Sequence, residues 1–153
     1  MGFCWRAVHD SSCQWLRLID GVTDEGMHAL CGRLPALTWL SLRGVTSLTA
    51  EGLRAVGGLT TLTYLDLGYC SNVTDAVLWE LRDLTALTTL HLNYCPDVTD
   101  VANTLLPSRL TNLWLAGTST TQAGRDALKA ALPALTINSN QPAPSPAGCE
   151  YHP

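Results

Sequence analysis

The sequence predicts an α/β solenoid, a stack of strand–loop–helix units that bury their apolar faces against one another. Three observations carry that prediction. Segments of the form L-x-x-L-x-L recur at Leu37–Leu42, Leu62–Leu67, Leu87–Leu92 and Leu110–Leu115, at spacings of 25, 25 and 23 residues. Helix-start signals of the type Val-Thr-Asp follow several of them, and apolar residues at helical spacing come next. A repeat of that length marks a stacked architecture. One such unit has no partner for its apolar face, so neighbours must stack.

Taken in chain order, the first strand is Trp15-Leu16-Arg17-Leu18. In such a stretch alternate residues point to opposite faces, so Leu40 and Leu42 point inward while Trp39, Ser41 and Arg43 point out. Val22-Thr23-Asp24 opens a helix carrying Met27, Leu30 and Leu34, and Leu53 and Val56 mark the second helix. Val73-Thr74-Asp75 opens the third, with Leu78 and Leu81; Val98-Thr99-Asp100 opens the next, and Leu128 with Leu132 marks the last. Leu135-Thr136-Ile137 begins a truncated final copy. Each threonine suits a helix cap, and the adjacent aspartate suits the positive end of the helix dipole. Asp24, Asp75 and Asp100 each sit alone in a coil, which favours capping over calcium.

Composition narrows the function. The 153 residues carry nine Lys+Arg against thirteen Asp+Glu, net −4, and Lys129 is the sole lysine. No basic stripe for nucleic acid exists, and no apolar run reaches the ~18 residues of a membrane span. The start, Met1-Gly2-Phe3-Cys4-Trp5-Arg6, has no apolar signal core, and Arg6 stands where myristoylation wants Ser or Thr. Six cysteines inside a regular leucine pattern fit a reducing compartment better than a disulfide scaffold. The expectation is a cytoplasmic protein, with the nucleus as the other compartment.

Leu65-Asp66-Leu67-Gly68-Tyr69-Cys70-Ser71-Asn72-Val73-Thr74-Asp75 and Leu90-His91-Leu92-Asn93-Tyr94-Cys95-Pro96-Asp97-Val98-Thr99-Asp100 resemble the cysteine-containing leucine-rich repeat. The resemblance covers about residues 15–137. It implies a curved right-handed superhelix, a ribonuclease-inhibitor-like horseshoe, with a parallel sheet on the concave face and helices outside. Gly44-Val45-Thr46 and Gly117-Thr118-Ser119 lack the cysteine, so those coils depart from the pattern. The expected organisation is a partial N-terminal coil or cap over 1–14, about five coils over 15–137, and a disordered Pro-rich tail over 138–153. Residues 3–12 look like the helix of a preceding coil without its strand, a shape expected of a fragment of a longer array.

Candidate chemistry is sparse. Cys70 and Cys95 occupy the same place in successive coils, and the resemblance implies that each packs as a small hydrophobe bonding loop backbone. Cys4, His9, Cys13, Cys149 and His152 lack the paired spacing of zinc sites. Asp66 and His91 fall in one column on adjacent strands, close enough to interact, but Ser41 lies beyond Asp66, the wrong order for a triad. No P-loop, dinucleotide fingerprint or H-E-x-x-H occurs. The expectation is a non-enzyme without cofactor, metal or small-molecule substrate.

The outward columns are more telling. The first reads Trp15, Trp39, Tyr64, Thr89, Asn112; the second Arg17, Ser41, Asp66, His91, Trp114; the third Ile19, Arg43, Gly68, Asn93, Ala116. These positions are expected to face solvent. Trp, Tyr and Arg dominate protein interfaces, so the columns predict a protein-binding face. Five rungs give a flat patch of roughly 200–250 Å², below the ~800 Å² per partner of a standard interface. The loop rim with Tyr69 and Tyr94 must then contribute. The predicted function is a protein-interaction module or scaffold, and the resemblance implies ubiquitin-ligase partners, since F-box receptors use this repeat. No F-box is visible in the fourteen residues before the first strand. The rival reading is a structural solenoid fragment with no ligand of its own.

Overall fold

Only three residues of each repeat lie flat before the chain turns, so the strands are short. A computed structural model describes residues 13–138. Its strands are Trp15–Arg17 (β1), Trp39–Ser41 (β2), Tyr64–Asp66 (β3), Thr89–His91 (β4), Asn112–Trp114 (β5) and Thr136–Asn138 (β6). All pair in parallel in sequence order, one sheet of six. The register aligns Leu16, Leu40, Leu65, Leu90, Leu113 and Ile137 in one row, so the truncated last copy supplies a full strand. The expected terminal segments lie outside the described residues, apart from Cys13 and Gln14 at one end and Asn138, which closes β6, at the other.

The opposite side of each coil carries α1 (Asp24–Arg33), α2 (Ala50–Ala55), α3 (Asp75–Glu80) and α4 (Gln122–Ala131). The fourth coil has a 3-10 turn at Asp100–Thr104 instead of an α-helix. That coil is two residues shorter than the one before it and one shorter than the one after. A 3-10 turn rises about 2.0 Å per residue against 1.5 Å for an α-helix, so it crosses the same span with less chain. Leucines of both strand-side rows, with Met27, Leu53, Leu78 and Leu128 from the helices, form one continuous buried core.

Two polar ladders tie coil to coil. The threonine of each L-T-x-L segment donates its hydroxyl to a carbonyl one coil back: Thr38 to Gln14, Thr63 to Thr38, Thr88 to Thr63 and Thr111 to Thr88, at 2.9–3.2 Å. The recurring threonine thus satisfies backbone at the sheet's entry edge.

The second ladder corrects the expected role of the helix-start aspartates. Asp24 accepts the Thr49 N–H at 2.9 Å and the Thr49 hydroxyl at 2.6 Å, so its partner lies in the next coil. Asp75 binds Thr99 in the same way, and Asp100 binds Thr121. The Thr49 hydroxyl and amide hold the Asp24 carboxyl below its usual range, and those of Thr121 do so for Asp100. The threonine hydroxyls in turn cap their own helices, accepting from Glu51, Val101 and Gly124. The ladder breaks once, where Ala50 replaces the acid, and Thr74 there makes no side-chain cap bond.

Close approach of the carboxylates fixes two glycines. A Cβ on Gly52 would collide with Asp24, and one on Gly124 with Asp100. In the coil that faces Ala50 the equivalent position is Val77, and where Asp75 clamps Thr99 it is Ala102, in a 3-10 turn, so the glycine is tied to the carboxylate only where an α-helix follows. Alanine ordinarily gains about 1 kcal/mol over glycine in a helix interior. Gly124→Ala is instead expected to lose about 1 kcal/mol through overpacking. Thermal unfolding measures it, and in an Asp100→Ala background the same change should turn stabilising.

Candidate functional site

The parallel register assembles the outward columns row by row. Trp15, Trp39, Tyr64, Thr89 and Asn112 are direct neighbours, and so are Arg17, Ser41, Asp66, His91 and Trp114. Arg43 and Asn93 follow at the strand ends, with Tyr69 and Tyr94 in the loops beyond.

Their expected exposure is only partly met. Trp15 and Arg17 are exposed, while Arg43, Tyr64, Thr89, Asn112 and Trp114 are half-buried. Trp39 is only 7% exposed, and Ser41, Asp66, His91 and Asn93 are more deeply buried still. Rows about 4.8 Å apart lie near the separation at which rings stack. The large side chains therefore pack along the sheet instead of projecting from it. Ring centroids run Trp15–Trp39 5.8 Å, Trp39–Tyr64 4.9 Å, Tyr64–His91 5.0 Å and His91–Trp114 3.9 Å. The ladder shifts from the first column to the second where Thr89 leaves room. Small polar residues between these bulky neighbours lose their water.

Asp66 and His91 pair in register, yet the expected interaction is absent. Neither imidazole nitrogen has a hydrogen-bond partner among the described residues, and the ring is held between Tyr64 and Trp114. Asp66 Oδ1 accepts the Gly68 N–H at 2.9 Å, and its other oxygen lies 4.0 Å from the Arg43 guanidinium. Burial raises the Asp66 carboxyl above its usual range, opposed by the Gly68 N–H, Arg43 and Arg17. Burial, aided by Arg43, lowers His91 to about 4.

A stability consequence follows from that depressed imidazole. Unfolded, His91 takes its proton near 6.5; folded, near about 4. Between those values the unfolded state binds more protons, so stability present above about pH 6.5 falls with acidification and is lost by about pH 4. Asp66 has the opposite sign, since its raised carboxyl takes a proton more readily when folded. His91→Phe keeps a ring in the stack and removes the titration. Urea unfolding at pH 7 and pH 5 should show wild type losing about 1–2 kcal/mol more than the variant. Equal losses would contradict the burial of a neutral imidazole.

The rim holds a feature that the columns do not reveal. After each of β2 to β5 the chain enters the left-handed region: Gly44 (φ 72°) and Gly117 (φ 71°) do so without a side chain, but Tyr69 (φ 63°) and Tyr94 (φ 58°) hold the same place in the coils between. For a bulky residue that conformation costs about 1–2 kcal/mol. The two rings stack at 4.5 Å, the Arg43 guanidinium lies 4.5 Å over Tyr69, and Tyr94 rests against Gly117, where a Cβ would come within 2.6 Å of its ring. Tyr69 is 39% exposed and Tyr94 50%. The result is a solvent-facing ridge, Arg43–Tyr69–Tyr94–Gly117, across four coils. Tyrosine in two successive coils at the repeat position that glycine holds on either side was the signal for it in the sequence.

Cys70 and Cys95 are free and buried, and their thiols bond the carbonyls of Leu42 and Leu67 at 3.1 Å. Burial pushes the Cys70 thiol up to about 11 and that of Cys95 to about 12, so both stay protonated and inert. Among the described residues no group of three or more His, Cys, Asp or Glu is placed to hold a metal, and no helix is long and apolar enough to cross a membrane.

Residues 58–76 match a family model described as a leucine-rich repeat. No curated protein matches the chain. Among solved structures, a chain of the yeast Rad7–Elc1 complex superposes with a TM-score of 0.68 and 21% identity, over 82% of this chain and 32% of that one. An internalin, InlF from Listeria monocytogenes, superposes with a TM-score of 0.53 and 24% identity, over 72% of this chain and 29% of that one. This chain therefore spans about a third of the length of either structure. At these identities the likeness is one of fold.

Proposed function

We propose that this leucine-rich-repeat protein is a recognition module that binds a protein partner through the exposed part of its concave sheet and the adjacent tyrosine rim. The observation that carries this reading is the pair Tyr69–Tyr94. Both are exposed, stacked and held in a backbone conformation that glycine serves at no cost in the neighbouring coils. Side chains kept in a disfavoured backbone conformation cluster where function requires them. Exposed Trp15 and Ile19 at the first coil add apolar area to the same side. Ser41, Asp66, His91 and Asn93 are buried, so this reading assigns partner contact to Trp15, Arg17, Arg43, Tyr64, Tyr69, Tyr94 and Trp114, which keep exposed area.

A substrate-recognition role in a ubiquitin ligase is the finer form of this reading. The cysteine-bearing repeat pattern supports it, and the fold shared with a chain of the Rad7–Elc1 complex agrees with work inside an assembly.

Tyr69→Gly/Tyr94→Gly tests the proposal without the risk of a misfolded control, since glycine suits the left-handed positions. Affinity capture followed by titration with the captured protein should show binding about 10- to 30-fold weaker for the variant, the loss typical of central aromatic contacts. Identical captured proteins and unchanged affinity would leave the structural-solenoid reading in first place.

A further inference from the structure

The charges of the solenoid are sorted by face. Asp24, Glu25, Glu51, Asp75, Glu80 and Asp126 lie on its helices, where Arg54 pairs with Glu51 and Glu80. In the three outward columns of the sheet, the charged side chains among the described residues are Arg17, Arg43 and Asp66. Two guanidinium groups therefore stand against one buried carboxyl, on a chain whose net charge is −4. Arg17 is exposed and makes no ion pair among the described residues, and Arg43 meets Asp66 only at 4.0 Å. That separation is too long for a hydrogen bond, and Asp66 already takes the Gly68 N–H.

The uncharged groups of this face have the same imbalance. The Trp39 indole nitrogen and the Asn93 amide nitrogen are buried without a partner among the described residues, as are both nitrogens of His91. Asn93 Oδ1 takes the Ala116 N–H at 3.0 Å, which leaves Nδ2 as the orphan. The indole and the amide nitrogen only donate, and a neutral imidazole does one of each. Donors outnumber acceptors, so the face is short of oxygen acceptors and of negative charge.

Spacing narrows the occupant. Arg17 pairs in register with Ser41, and Arg43 stands two residues further along. One rung of about 4.8 Å across and about 6.6 Å along places their Cα atoms about 8 Å apart. Alternate residues of an extended segment lie about 6.6–7 Å apart on one side of it. Two carboxylates so placed can meet one arginine each, through paired N–H donors. The diagonal from Arg17 through Arg43 continues onto Tyr69, beneath the Arg43 guanidinium, and then onto Tyr94.

We propose that this face takes an extended protein segment with carboxylates on two alternate residues, which pair with Arg17 and Arg43, and an apolar side chain beyond them that packs on the Tyr69–Tyr94 ridge. The assignment rests on the recognition role and supplies its chemistry, an acidic–x–acidic segment with an apolar neighbour. Charge of this sign hastens the encounter with acidic partners and rejects basic ones.

Selection on the full chain from a displayed library of random twelve-residue peptides tests this. The peptides retained should carry Asp or Glu at alternate positions beside an aromatic or aliphatic residue. In a retained peptide, exchanging both acids for their amides should weaken binding about 10- to 100-fold. Arg17→Gln changes an exposed side chain, and thermal unfolding checks that the fold is kept. It should weaken binding about 3- to 10-fold, and in that variant one of the two acid-to-amide exchanges should cause no further loss. Acidic peptides indifferent to both Arg17→Gln and Arg43→Gln would overturn the proposal. Peptides without acids that still need Tyr69 and Tyr94 would overturn it too and leave the recognition role standing. Failure to retain any peptide would count against the recognition role itself.

Discussion

Trp39→Ala is expected to destabilise the protein by about 2–4 kcal/mol, although Trp39 sits on the outward side of its strand. Two terms set that figure. The ring is 7% exposed and packed between Trp15 and Tyr64, so truncation removes a large buried area and opens a gap in the stack. Against this, the indole Nε1 is buried without a partner among the described residues, and its removal recovers part of the loss. Trp39→Phe separates the two, since it keeps a ring and deletes the orphaned N–H. Chemical denaturation should place Trp39→Phe within about 1 kcal/mol of wild type. A loss under about 1 kcal/mol for Trp39→Ala would return the residue to the solvent-facing role that strand alternation assigns it.

Leu65→Ala is the other large effect, about 2–5 kcal/mol. Leu65 is completely buried in the inward row, flanked in register by Leu40 and Leu90. Stacked coils stabilise one another only through such contacts, so a cavity here weakens both neighbouring interfaces. Leu65→Phe distinguishes this side from the other: overpacking should cost about 1–3 kcal/mol, whereas Trp39→Phe is tolerated. Denaturation curves for the four variants therefore test face assignment and packing independently.

The misassigned exposure of Trp39 shows where sequence reading ends. Alternation places a residue on one side of a strand, which holds for Trp39, Ser41, Asp66 and His91. It says nothing of what the next coil places about 4.8 Å away. Trp39 loses its water to Trp15 and Tyr64, and His91 to Tyr64 and Trp114, residues 23 to 27 positions distant. The same limit applied to Asp24. Its position beside a capping threonine was legible, but its partner, Thr49 of the following coil, was not. A glycine three residues beyond that threonine, Gly52, was a trace of the contact that a pairwise reading of coils would have found.

What a one-dimensional period can carry was complete here. The inward leucines, the strand positions and the capping threonines follow from spacing, because each depends on which way a residue points relative to its own neighbours along the chain; the parallel order and the buried cysteines were what the resemblance to the cysteine-containing leucine-rich repeat implied. Tertiary packing alone decided the stacked ladder of Trp15, Trp39, Tyr64, His91 and Trp114, the imidazole left without a partner among the described residues, the aspartate clamps and the stacking of Tyr69 on Tyr94. Burial, hydrogen-bond partners and ionisation depend on groups brought together across coils, and those distances exist only once the coils are stacked.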